Sequence, residues 1–147
     1  MNLLNRFADP VYCVVRIIVG LMFACHGGQK LLGFPPGGRP AVNALGWSAG
    51  SIELVAGFLI AVGLLTRLAA FIASGEMAVA YYMTSFSGKT LDHAPTVLER
   101  LVPILNFGEL PVMLCLVFFF MIFYGPGRWS IDVLIRGRST SGITSSS

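Results

Sequence analysis

The run Val11–Leu32, VYCVVRIIVGLMFACHGGQKLL, limits the fold more than any other stretch of the chain. It is apolar and long enough to cross a bilayer, which takes about 20 residues of helix, yet it carries Arg16, His26 and Lys30. At about 100° per residue, Arg16, Gly20, Phe23, Gly27 and Lys30 fall on one stripe, with His26 at its edge. A charged side chain near the bilayer centre costs at least about 2.5–3.5 kcal/mol, so such a stripe faces protein or water rather than lipid. It therefore predicts partners that carry carboxylates. Three stand in apolar segments: Glu53, Glu76 and Glu109.

The composition supports a membrane setting. Of 147 residues, 55% are hydrophobic and 12% charged, against about 25% charged in soluble domains, and the mean hydropathy is +0.77. An all-α fold follows, a four-transmembrane-helix antiparallel bundle with the lipid bilayer as its first partner. The net charge of +3 comes with no basic-aromatic patch, so nucleic acid is not expected as a partner. Cys13, Cys25 and Cys115 lie in apolar stretches without a C-x-x-C pair and read as packing thiols.

Taken in order, residues 1–10 form a short polar lead. Val11–Leu32 is too long for an ordinary signal-peptide core and lacks an A-x-A cleavage pattern, so it reads as a retained first span. Pro35-Pro36 and Gly37-Gly38 break the helix. Span 2 is expected at about 46–65, with Gly50, Glu53 and Gly57 on one face. Gly20 and Gly27 face them from span 1, and small residues permit close helix approach. The short turn Gly63–Arg67 makes spans 2 and 3 (about 68–86) a helical hairpin. Pro95 and the following TVLERL predict a short amphipathic helix in the loop. Span 4 is expected at about 108–124 and stops at Gly125-Pro126-Gly127. Residues 11–132 thus form the membrane domain, and the Ser/Thr/Gly-rich tail within 133–147 is expected to be disordered.

Four spans put Arg6, Arg67, Arg128, Arg136 and Arg138 on one side. Lys30, Arg39, Lys89 and Arg100 lie on the other, with Asp92 and Glu99 among them. The bias places both termini in the cytoplasm of a multi-pass protein. His26, Lys30, Glu53 and Glu109 then reach similar depth in the outer half, a candidate site for ligand binding or proton relay. Lys30 and Glu53 read equally as a structural ion pair. Asn106-x-x-Glu109 also fits a capping box opening span 4, and His26 also fits a hydrogen-bonded packing role. Arg16 and Glu76, deeper in the inner half, are expected to pair. A metal site is not expected, since no histidine–cysteine cluster appears. No P-loop, haem attachment or dinucleotide motif is present. Whether the chain is an enzyme, and with which catalytic residues, stays open; a redox cofactor would be a lipid-soluble quinone or belong to another subunit.

Taken together, Arg16-x-x-x-Gly20, His26-Gly27-x-x-Lys30, Glu53-x-x-x-Gly57, Gly63-x-x-Thr66-Arg67, Asn106-x-Gly108-Glu109 and Gly125-Pro-Gly-Arg-Trp-Ser-x-Asp132 resemble the DoxX family of small membrane proteins. The resemblance implies a four-helix bundle in the bacterial inner membrane. It also implies association with membrane redox systems, through a quinone and a protein partner or a homo-oligomer. The alternatives are a non-catalytic assembly protein, whose charges serve packing alone, and a small transporter.

Overall fold

The computed structural model describes residues 2–38 and 40–141. Every regular element in it is helical. α1 spans Asn2–Leu32, α2 Ala44–Val62 and α3 Thr66–Tyr81, which runs on into a π-helical stretch at Tyr82–Phe86. The short α4 follows at Val97–Leu101, then α5 at Glu109–Tyr124 and α6 at Ile131–Ser141. Asn5–Leu32 and Ala44–Val62 are long and apolar enough to cross a membrane, and Glu109–Tyr124 is a shorter apolar helix.

At both ends helix runs past the bounds expected from the sequence. α1 begins at Asn2 and carries Pro10 inside it, so the polar lead forms its first turns. Proline removes one backbone hydrogen bond there, but Asp9 beside it is held from across the fold, accepting from the Tyr124 hydroxyl at 3.2 Å and from the Arg128 amide at 3.3 Å. At the other end, helix continues to Ser141 where a disordered tail was expected from 133. The last part of that tail, 142–147, lies outside the described residues, as does Arg39 from the charge count.

The molecule is apolar outside and small-residued inside. Val14, Ile18, Leu21 and Met22 of α1, Val55 and Phe58 of α2, Phe71 of α3 and Leu116, Phe119 and Phe123 of α5 are all exposed. Ala56, Ala69, Ala70, Ala73 and Ser74 are buried, together with Arg16 and Glu53. Such a surface suits lipid, because soluble monomers rarely expose large contiguous apolar patches. In hydrocarbon, close packing of small residues holds helices together where no hydrophobic gradient does.

α1 packs on α2 through their glycines, as the sequence predicts. A Cβ built on Gly20 would lie 2.8 Å from the Gly57 carbonyl oxygen, and one on Gly27 2.5 Å from that of Gly50. α3 packs on α5 through Ala69, Ala73 and Met77 against Phe118 and Met121, and the Ser74 hydroxyl donates to the Cys115 carbonyl at 3.0 Å. Phe23 of α1 joins the halves, its ring 4.7 Å from that of Phe118.

α4 is the short helix expected after Pro95. Thr96 and Glu99 form a reciprocal capping box, with the Thr96 amide and hydroxyl each donating to Glu99 at 2.8 Å. His93 adds a contact at 3.0 Å. The Thr96 backbone donor, then its hydroxyl, then His93 pull the Glu99 carboxyl from an ordinary 4.5 down to about 2. A depressed carboxyl contributes fully above its unfolded value and loses that contribution as pH falls through the folded one. The box should therefore survive through the usual carboxylate range and open only near the lowered value. Carbon-13 titration of Glu99 by NMR checks this, and Thr96→Val should return the midpoint towards 4.5. A wild-type midpoint already there would mean the box is not formed in solution.

Candidate functional site

The charged stripe of α1 meets two different environments. At the end near Lys30, its ammonium lies 2.6 Å from Oε1 of Glu53. Glu53 is 2% exposed, while the Lys30 side chain keeps 34% of its surface open. α1 and α2 are close enough for this contact because Gly27 and Gly50 oppose each other one helical turn away. The second oxygen of Glu53, Oε2, is buried without a hydrogen-bond partner.

Beside this pair lies a cavity of about 490 Å³ between α2 and α3, within the 300–1,000 Å³ range of small-molecule sites. Its walls are Leu45, Gly46, Ala49 and Ile52 from α2 and Ile72, Gly75, Val79 and Ala80 from α3, with Met83 and Thr84 at the π-helical end. Small residues create the space: a Cβ on Gly75 would meet nothing within 4 Å. Lys30 and Glu76 are the charged groups at the wall. Glu76 Oε2, like Glu53 Oε2, is buried without a partner.

Arg16 sits in the second environment, fully buried, and does not pair with Glu76. Its guanidinium donates to the carbonyls of Ala61 at 3.3 Å, Trp129 at 2.6 Å and Pro126. Two features explain this. Glu76 stands ten residues into α3, about 15 Å from its start at 1.5 Å per residue, whereas Arg16 lies level with the α2–α3 turn, against Gly63. The turn also supplies what a cation needs. Ala61 belongs to the last turn of α2, where carbonyls lack helical partners and the helix dipole is negative.

Of the four residues expected to meet, the structure brings Lys30 and Glu53 together and leaves His26 and Glu109 apart. His26 lies on the outer face of α1 beside Met22, Cys25 and Gln29. Glu109 is exposed at the first turn of α5, with no ion pair among the described residues. The expected capping box at Asn106 is not formed. Phe107 takes a left-handed φ of 55°, so the chain is not helical between Asn106 and Glu109, and Gly108 occupies the cap position. Asn106 instead braces the loop, donating to the carbonyl of Glu99 at 2.8 Å and to the Tyr81 hydroxyl at 3.2 Å, and accepting from the Gly108 amide at 3.0 Å.

Sequence reasoning missed the role of Asp132. Its carboxylate accepts from the amides of Leu65 and Thr66 at 2.9 and 3.1 Å, capping α3 from 66 residues away. The cap is needed because Leu65, in the N-cap position with φ 49°, makes no side-chain bond of its own. The signal available in the sequence was the spacing of Gly125-Pro-Gly-Arg-Trp-Ser-x-Asp132, whose residues now prove to bind Arg16 and α3.

The family model described as DoxX matches residues 11–85, a stretch that includes Arg16, the glycine seam, the Lys30–Glu53 pair and Glu76. This chain belongs to the DoxX family. The DoxX chain is 38% identical over 136 residues to an uncharacterized protein of Haemophilus influenzae, covering 90% of this chain and 96% of that one. It is 30% identical over 150 residues to an uncharacterized membrane protein of Mycobacterium tuberculosis, covering 95% and 90%. No solved structure matches it. As a DoxX member the chain is a membrane protein, and the ion pair joins α1 and α2, the two helices long and apolar enough to cross a membrane.

The Lys30–Glu53 contact makes an asymmetric prediction. Lys30→Met strands a buried carboxylate, whereas Glu53→Leu frees a lysine that can turn to water. Breaking a fully buried pair costs roughly 3–5 kcal/mol. The open side of Lys30 reduces this to about 2 kcal/mol for Lys30→Met and about 1 for Glu53→Leu. The double change should melt near wild type. Detergent melting temperatures of the three variants check the order, and equal losses in both single variants would contradict it.

Proposed function

We propose that this DoxX protein binds the headgroup of an amphipathic, quinone-like molecule in the cavity between α2 and α3, as a subunit or accessory of a membrane redox system. The observation that carries this reading is an apolar cavity of about 490 Å³ whose lining includes the two ionisable residues Glu76 and Lys30. Apolar walls with a few convergent polar groups are the usual design of a small-molecule site. Intramembrane ionisable groups are functional by default. His26 and Glu109 have no part in this proposal; the site is Lys30, Glu53 and Glu76.

The chain in this reading crosses the bacterial inner membrane four times with both termini in the cytoplasm. α3 with its π-helical extension and the apolar α5 form the third and fourth spans, and the arginine bias sets the orientation. Reporter fusions at Arg138 and in the loop at 87–103 should then report opposite sides.

Gly75→Leu tests the site itself. The space above Gly75 is open, and leucine is the better helix former, so the variant should fold, melt no lower than wild type and lack room for a headgroup. Decylubiquinone binding to the purified protein should fall at least about tenfold, or by about 1.4 kcal/mol. Unchanged binding, or none by the wild type, would favour the alternative in which the chain is a non-catalytic assembly protein. That alternative has its own support in the Lys30–Glu53 and Arg16 contacts, which serve packing without any ligand.

A further inference from the structure

The three ionisable groups beside the cavity do not balance. Among the described residues Lys30 is the one cation there, and it lies 2.6 Å from Oε1 of Glu53. The second oxygens of Glu53 and Glu76 are both buried with no donor. Two carboxylates and one ammonium would leave a net negative charge among apolar walls, where an unpaired ion is costly enough that the group neutralises instead. Glu53 has its counter-ion in Lys30. Glu76 has none of its own.

Among the described residues, the groups that face Glu76 from neighbouring elements offer no other compensation. α1 brings Lys30 and α2 brings Glu53. α5, packed on the far side of α3, has Glu109 as its one charged residue, exposed at its first turn, and places Cys115 beside Ser74. At the π-helical end, the Thr84 hydroxyl already donates to the Ala80 carbonyl at 2.6 Å.

We infer that Glu76 is a proton-binding site, and that its neutral acid presents an O–H into the cavity for a carbonyl oxygen of the bound headgroup. The second half of this inference rests on the ligand reading above; the first half does not. With Glu76 protonated, the site offers two donors, the acid O–H and the Lys30 ammonium. A headgroup that only accepts, such as a dione, matches both. A headgroup whose ring oxygens are hydroxyls gains less, since each must spend its own donor elsewhere.

Infrared difference spectra between wild type and Glu76→Gln, in detergent near neutral pH and without ligand, read the proton directly. The variant is isosteric, so the fold is kept. Loss of a carboxylic-acid C=O band in the variant is the expected result. Loss of carboxylate bands instead, with or without added sodium ions, overturns the proton site while leaving the ligand reading intact. Binding of decylubiquinone and of its reduced hydroquinone reads the second half. Wild type should bind the quinone more tightly and weaken about tenfold as alkali removes the Glu76 proton. Glu76→Gln, which keeps an N–H donor, should bind with no such pH dependence. A protonated Glu76 in a protein that binds neither probe overturns the carbonyl assignment together with the ligand reading, and the proton site then stands on the infrared result. Tighter binding of the hydroquinone overturns the carbonyl assignment alone.

Discussion

Gly57→Leu is expected to leave little folded protein in detergent, with a loss of more than about 4 kcal/mol, a size reserved for a few drastic mechanisms. The obstacle is backbone rather than side chain. A Cβ at residue 57 would stand 2.7 Å from the Gly20 carbonyl oxygen and 2.9 Å from the Ala24 Cα, and neither can rotate away. α1 and α2 would have to separate along their whole seam, which also draws Lys30 from Glu53. Overpacking a core costs typically about 1–3 kcal/mol because side chains give way; here nothing gives. Leu59→Ala, a half-buried position in the same helix, should be milder. Thermal melting of the two variants decides, and equal losses would mean the glycine seam is not the interface.

Arg16→Met is the second large effect, about 5 kcal/mol. It removes the donors for three carbonyls, those of Ala61, Pro126 and Trp129, and an unsatisfied buried acceptor costs about 1–3 kcal/mol. Arg16→Lys should recover only part, because a single ammonium cannot reproduce the planar fork that spans separate acceptors. The variant should also loosen α3, since residues 126–132 hold both Arg16 and, through Asp132, the start of that helix. Amide exchange at Leu65 and Thr66 is the telling measurement: protection there should fall in Arg16→Met although neither amide touches Arg16. Unchanged protection would show that the two contacts are independent.

What could be read from the chain depended on whether the partner was a side chain or backbone. Gly20, Gly27, Gly50 and Gly57 recur at helical spacing, so the seam and the Lys30–Glu53 contact across it were legible. Arg16 pointed just as clearly to a buried partner, but its partners are main-chain carbonyls at a helix end and beyond it, which any residue can supply. That Glu76 lines the same cavity as Lys30 was hidden for another reason. It depends on how far α3 is shifted along α2, and the turn at 63–65 fixes that shift through two left-handed residues, Gly63 and Leu65. His26 and Glu109 were expected at the depth of Lys30, but depth does not fix the direction in which a helix turns a residue. The Asn106 cap failed on one backbone angle, at Phe107.

The closing segment has a consequence for biogenesis. The chain is made from its N-terminus, and its early helices are in place before the late ones exist. Until residues 126–132 leave the ribosome, the Arg16 guanidinium lacks two of its three acceptors and the start of α3 lacks its cap. The first half of the protein is thus made with an open charge that only residues 126–132 can close. A nascent chain stalled before Gly125 carries that defect, and one that has reached Asp132 does not. The same few contacts that hold the two ends of the fold together also record that the late segment has arrived.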